Sequence, residues 1–195
     1  MLADNGGYVV ICDSQGQILE KHCVNPEEGY IDLESVAVDR STGDVYLADE
    51  RTGNVCKWDG ADSFSVVANF DIPGRERNLG LEAVEFVQDT LYVGNQANPS
   101  RLFKYSLKSG EVWSKDLAFV ASLSDFCFEP NTDTFWISDS FAHTLFVCDR
   151  SLNVLKSYEI PYIAKQEGLW VDWENGLLWL ACDATGRIYR TKMIF

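Results

Sequence analysis

Carboxylates recur along this chain at intervals that would gather them in space. Glu34, Glu82 and Glu167 each open a short apolar run, and Ser124-Asp125 opens a fourth. From residue 34 to 82, 124 and 167 the steps are 48, 42 and 43. If each run is the equivalent strand of a repeated unit, these acids face one another. Carboxylates held that close repel, which raises their proton affinity unless a cation sits among them. Oxygen-only donors select Ca2+ or Mg2+ over softer metals. One reading therefore puts a divalent cation, Ca2+ first, on Glu34, Glu82, Asp125 and Glu167. The other gives the same acids a packing role, in which they accept backbone N–H bonds from the neighbouring unit.

A second polar set ends the next apolar run of each unit: Asp49-Glu50, Asn95-Gln96, Asp139-Ser140 and Cys182-Asp183. Asp and Asn at such places form Asx turns. Alternatively Asp49, Glu50, Asn95, Asp139 and Asp183 make a second ring that holds a ligand. Arg75 and Arg77 lie just ahead of Glu82, in Gly74-Arg75-Glu76-Arg77-Asn78. They read either as a solvated loop or as a bidentate grip on a carboxylate or phosphate. The two histidines are His22 and His143, and His143 near Asp139 is weak evidence for a general base. No G-x-S-x-G, H-E-x-x-H, P-loop or G-x-G-x-x-G motif occurs, so no catalytic machinery is named.

The frame that must position these residues is a repeat. The phrase Tyr46-Leu47-Ala48-Asp49-Glu50 returns as Tyr92-Val93-Gly94-Asn95-Gln96, Trp136-Ile137-Ser138-Asp139-Ser140 and Trp179-Leu180-Ala181-Cys182-Asp183, and a fragment, Leu2-Ala3-Asp4-Asn5, begins the chain. Its fourth residue falls at 4, 49, 95, 139 and 182, so the steps are 45, 46, 44 and 43. Short strands at a period of about 40–50 residues are the mark of a β-propeller, one four-stranded antiparallel blade per repeat. Alternating patterns and β-branched or aromatic residues support strands throughout, with hairpin turns at Ser41-Thr42-Gly43-Asp44, Gln88-Asp89, Asn131-Thr132-Asp133 and Glu174-Asn175-Gly176. The first strand of each blade lines the central channel. The first repeat starts inside its second strand and the last stops after its third. Two closures fit: five repeats with the first incomplete, or four blades with the N-terminal strands completing the last. Either way residues 1–195 read as a single all-β domain.

Composition narrows the partners. A net charge of −14 argues against nucleic acid and anionic membranes and favours cations or basic partners. No apolar run approaches the ~20 residues of a membrane helix, and the N-terminus has neither a basic n-region nor an h-region. The expectation is a soluble chain without an export signal. Six cysteines without a C-x-x-C pair, set among apolar strand residues, read as free thiols of an intracellular compartment. The six tryptophans are expected between blades.

Particular stretches resemble the SdiA-regulated domain family of β-propellers, and more broadly NHL-type and gluconolactonase-like propellers. They are Gly80-Leu81-Glu82-Ala83-Val84 with Leu91-Tyr92-Val93-Gly94-Asn95-Gln96-Ala97-Asn98-Pro99, Leu123-Ser124-Asp125-Phe126 with Trp136-Ile137-Ser138-Asp139, and Gln166-Glu167-Gly168-Leu169 with Leu178-Trp179-Leu180-Ala181-Cys182-Asp183. The likeness runs from about residue 30 to the end. Gln96 and Ser140 depart from it, standing where Glu is expected. The resemblance implies the propeller fold and a calcium site rather than an activity. Three functions remain open: a non-catalytic module binding a small molecule or protein at an acidic channel mouth, a metal-dependent hydrolase of lactonase or phosphoesterase type with its metal on Glu34, Glu82 and Glu167, and a structural subunit docking through exposed edge strands.

Overall fold

The computed structural model describes residues 2–4, 7–24, 32–60, 63–70, 72, 76 and 78–193. It contains five antiparallel sheets arranged as a propeller ring. The first sheet holds β1 (Leu2–Asp4), β2 (Tyr8–Cys12) and β3 (Ile18–Cys23). The second holds β4 (Leu33–Val38), β5 (Val45–Asp49), β6 (Asn54–Trp58) and β7 (Phe64–Asn69). The third holds β8 (Leu81–Val87), β9 (Thr90–Asn95), β10 (Arg101–Ser106) and β11 (Val112–Asp116). The fourth holds β12 (Leu123–Glu129), β13 (Thr134–Asp139), β14 (Thr144–Cys148) and β15 (Val154–Glu159). The fifth holds β16 (Gln166–Asp172), β17 (Leu177–Cys182) and β18 (Arg187–Lys192). A 3-10 turn at Asp183–Thr185 precedes β18. Among the described residues no helix is long and apolar enough to cross a membrane.

Each sheet is a meander in chain order, as short hairpin connections dictate. The five sheets are consistent with five repeats. Among the described residues the four-blade closure does not form: β1, β2 and β3 make a sheet of their own, and β18 pairs with β17 only. Its edge is instead met by a turn of the first sheet, where the Arg190 guanidinium donates to the Ser14 carbonyl at 3.3 Å.

Apolar side chains fill the four seams between successive sheets. One cluster joins Val9 and Val24 to Leu33, Leu47 and Trp58. The next joins Tyr46 and Val55 to Leu81 and Phe103, with Tyr46 stacked on Phe86 at 5.4 Å. A third joins Tyr92 and Leu102 to Phe126 and Phe135, and a fourth Trp136 and Leu145 to Leu169 and Leu180. Burying each such side chain stabilises by roughly 1.5–3 kcal/mol, so the seams carry the ring. Side chains of the next sheet close in at Gly94, where an added Cβ would lie 2.7 Å from Leu123 Cδ2. Packing between blades does not hold for every tryptophan: Trp113, on the outer strand β11, and Trp170 remain half-exposed.

Candidate functional site

The innermost strands β4, β8, β12 and β16 share a feature that the repeat spacing hides. Each slips register one residue from its start, between Leu33 and Ser35, Leu81 and Ala83, Leu123 and Asp125, and Gln166 and Gly168. The unpaired bulge residues are therefore Glu34, Glu82, Ser124 and Glu167. A bulge re-aims a side chain away from the ordinary alternation. The three glutamates act on one another electrostatically. Burial, then Asp32, Glu50 and Glu167, pushes the Glu34 carboxyl up to about 8. Burial, then Glu34, Glu50, Glu167 and Asp125, raises Glu82 well above its ordinary range. Burial and Asp183 raise Glu167, against the opposing pull of Lys165.

The tightest grouping is Asp32, Glu34 and Glu50, each offering a carboxylate oxygen within 4.8 Å of the others. Two ligands on one Ca2+ at about 2.4 Å are separated by no more than about 5 Å, so this spacing fits a shared ion. Asp32 also takes a 2.8 Å ion pair from Arg51, and Glu50 accepts the Gly80 N–H at 3.0 Å. Glu82 is only 6% exposed, no described residue donates a hydrogen bond to it, and every charged group acting on it is an acid.

Asp125 stands apart from the glutamates. It lies one residue past the bulge, at the place Ser35 holds in β4. Its carboxylate accepts the Leu169 N–H of the next sheet at 2.6 Å and the Phe126 N–H at 2.8 Å. Ser35 does the same for the Val84 N–H at 3.1 Å. The inner edge of each first strand has no sheet neighbour, and a buried N–H left unpaired costs about 1–3 kcal/mol. A side chain from the preceding sheet meets that need. Glu85, which sequence reasoning passed over, is a third such bracket and accepts the Phe128 N–H at 3.2 Å.

The second polar set divides in the same way. Asp49 accepts the Asp32 and Arg51 N–H groups at 3.0 and 3.1 Å and the Thr52 hydroxyl. Asp139 accepts those of Ala121, Ser122, Phe141 and Ala142. Asn95 donates to the Ala97 and Pro99 carbonyls at 2.9 Å. The bonds of Asp49 and Asp139 tie each loop to the entry of its own inner strand, and those of Asn95 close the loop that follows it. Glu50 and Asp183 instead join the mouth, with Asp183 3.1 Å from Lys165. Arg75 and Arg77 lie outside the described residues. His143 is buried at Nδ1 with no described partner, and His22 bonds Glu20 at the outer rim.

Below the mouth runs a cavity of about 780 Å³ with Val36, Val84, Phe126, Trp170 and Trp179 among its walls. Its size is that of a small-molecule site. Of the six cysteines, Cys56, Cys127, Cys148 and Cys182 are buried as expected, whereas Cys23 is exposed and Cys12 half-buried, because their sheet ends the ring.

Comparison with known proteins places this architecture. The fold is similar to a streptogramin B lyase structure (TM-score 0.57, 13% identity), with 97% of this chain and 63% of that one covered. It is similar to a protein of unknown function from Bacteroides caccae (TM-score 0.61, 14% identity), covering 97% of this chain and 70% of that one. It is also similar to an inactive virginiamycin B lyase from Staphylococcus aureus with quinupristin (TM-score 0.60, 13% identity), covering 97% and 60%. At that identity the likeness is one of fold, and the chain spans less than two thirds of the two lyases. No curated protein matches the sequence. The sequence matches the SdiA-regulated family across residues 2–190, nearly the whole chain, and it belongs to that family.

Proposed function

We propose that this protein is a non-catalytic β-propeller binding module whose acidic channel mouth takes up a divalent cation, Ca2+ by its oxygen-only donors. One observation carries the reading: Asp32, Glu34 and Glu50 bring carboxylate oxygens within 4.8 Å of one another, beside a buried Glu82 that no described residue hydrogen-bonds. Without a counter-ion such a group keeps protons at neutral pH, as the raised Glu34 reflects. An ion there would relieve the repulsion and draw the bulges of the second, third and fifth sheets together. Glu34, Glu50 and Asp32 supply its first ligands. Glu82 and Glu167 complete its charge, and Asp125 serves the sheet-to-sheet bracket. The cavity beneath, with aromatic walls, takes a small ligand whose polar end meets the ion.

The test is thermal unfolding with chelator and with millimolar Ca2+, on the wild type and on the combined Glu34→Gln, Glu82→Gln and Glu167→Gln variant. Calcium raises the wild-type Tm and leaves the variant unmoved. A wild type that ignores calcium, at a concentration where Mg2+ is equally without effect, removes the cation from the account.

A further inference from the structure

Three sheets set an aromatic ring beside a cation at the same step of their second and third strands. Tyr46 is opposite Lys57, Tyr92 opposite Lys104, and Trp179 opposite Arg190. In the second sheet Lys57 has its own counter-ion, Asp44, at 2.6 Å. Asp44 precedes Tyr46 by two residues, and the residue at that place in the third sheet is Thr90. Lys104 is left among rings, its Nζ 4.8 Å from the Trp113 centroid and 5.4 Å from that of Tyr92.

The charges that act on Lys104 are cations. Burial, then Arg150 and Lys115, holds it below the ordinary lysine range. Arg150 lies over Phe128 at 4.7 Å and spends one edge on Asp133 at 2.6 Å. Lys115 donates to the Ser151 carbonyl at 2.6 Å. Three cations thus converge on the seam between the third and fourth sheets of a chain whose net charge is −14. On the third sheet a groove of about 470 Å³ opens, with Thr90, Tyr92, Lys104, Ser106, Glu111 and Trp113 among its lining residues.

We infer that this groove binds a small anionic molecule, its phosphate or carboxylate head on Lys104 and its flat body against the half-exposed Trp113. The hydroxyls of Thr90 and Ser106 supply neutral hydrogen bonds at the floor. Lys104 has no carboxylate partner among the described residues, so it meets an anion without an existing ion pair being broken. The groove shares no lining residue with the acidic mouth or with the cavity below it.

Calorimetric titration with phenyl phosphate, benzoate and phenol tests the inference. At least one of the two anions saturates the wild type, with affinity falling as salt rises, and the better binder identifies the head group; phenol does not bind. Thr90→Asp restores the counter-ion of the second sheet without removing a cation, and Lys104→Gln removes the cation. Each weakens binding about tenfold or more, the loss of one charge-assisted bond. Lys57→Gln, at the already paired position, leaves it unchanged. Failure of both anions to saturate, or undiminished affinity in Thr90→Asp and Lys104→Gln, overturns the proposal.

Discussion

Replacing Glu34 by Gln should stabilise the calcium-free protein near neutral pH. The folded carboxyl keeps its proton up to about pH 8, against 4.5 for the free group, because of burial first and then the acids around it. Between those two values the folded state holds a proton that the unfolded chain has released. Stability therefore falls as pH rises through that window, and below it Glu34 contributes no difference. Each pH unit is about 1.4 kcal/mol, so the penalty at pH 7 is bounded near 3 kcal/mol. Glu34 is half-buried and water screens it, which reduces the figure to roughly 1–2 kcal/mol. Gln keeps the shape without the charge. For a chain of this length the gain corresponds to a Tm increase of about 3–6 °C. Circular dichroism melts in chelator from pH 5 to pH 9 read it out: the two proteins coincide near pH 5 and diverge as pH rises. A variant that melts below the wild type at pH 7, or by the same margin at every pH, refutes the electrostatic reasoning.

Other outcomes follow from the same geometry. Asp125→Ala leaves the Leu169 N–H without its acceptor and opens space at a fully packed seam, so it costs about 2–4 kcal/mol by denaturant titration; a loss under 1 kcal/mol contradicts the bracket role. Gly94→Ala drives a methyl group into Leu123, Phe126 and Ala83, and is expected to destabilise by about 1–3 kcal/mol, whereas an unchanged melting curve shows that the seam yields freely. Native-state thiol labelling modifies Cys23 quickly and Cys12 slowly. Cys56, pushed up to about 11, Cys148, pushed up to about 12, and the buried Cys127 and Cys182 react only on unfolding, so rapid labelling of three or more thiols contradicts the described burial.

The sequence makes the ring legible because a propeller writes the same strand at a fixed period. Leu33, Leu81, Leu123 and Gln166 open inner strands where the apolar runs begin, and the turns at Gly43, Asp89, Asp133 and Gly176 take positive φ. The closure was not legible, since pairing between distant termini leaves no mark in spacing. At the mouth, Glu34, Glu82 and Glu167 could be found because they repeat. Asp32 could not: its counterparts are Gly80, Ser122 and Lys165, so only one sheet carries an acid there. Glu85 escaped for the same reason, with Ala37, Cys127 and Trp170 at its place. The register slip that separates Asp125 from Glu34, Glu82 and Glu167 depends on cross-strand hydrogen bonds, which one strand's residues do not reveal.

Calcium titration at pH 7 in two buffers of different ionisation enthalpy tests the central claim most directly. The account predicts one Ca2+ per chain with proton release at pH 7, to which Glu34 contributes close to one proton, and a smaller release in Glu34→Gln. Binding without proton release at pH 7, or no heat attributable to a single site, contradicts it.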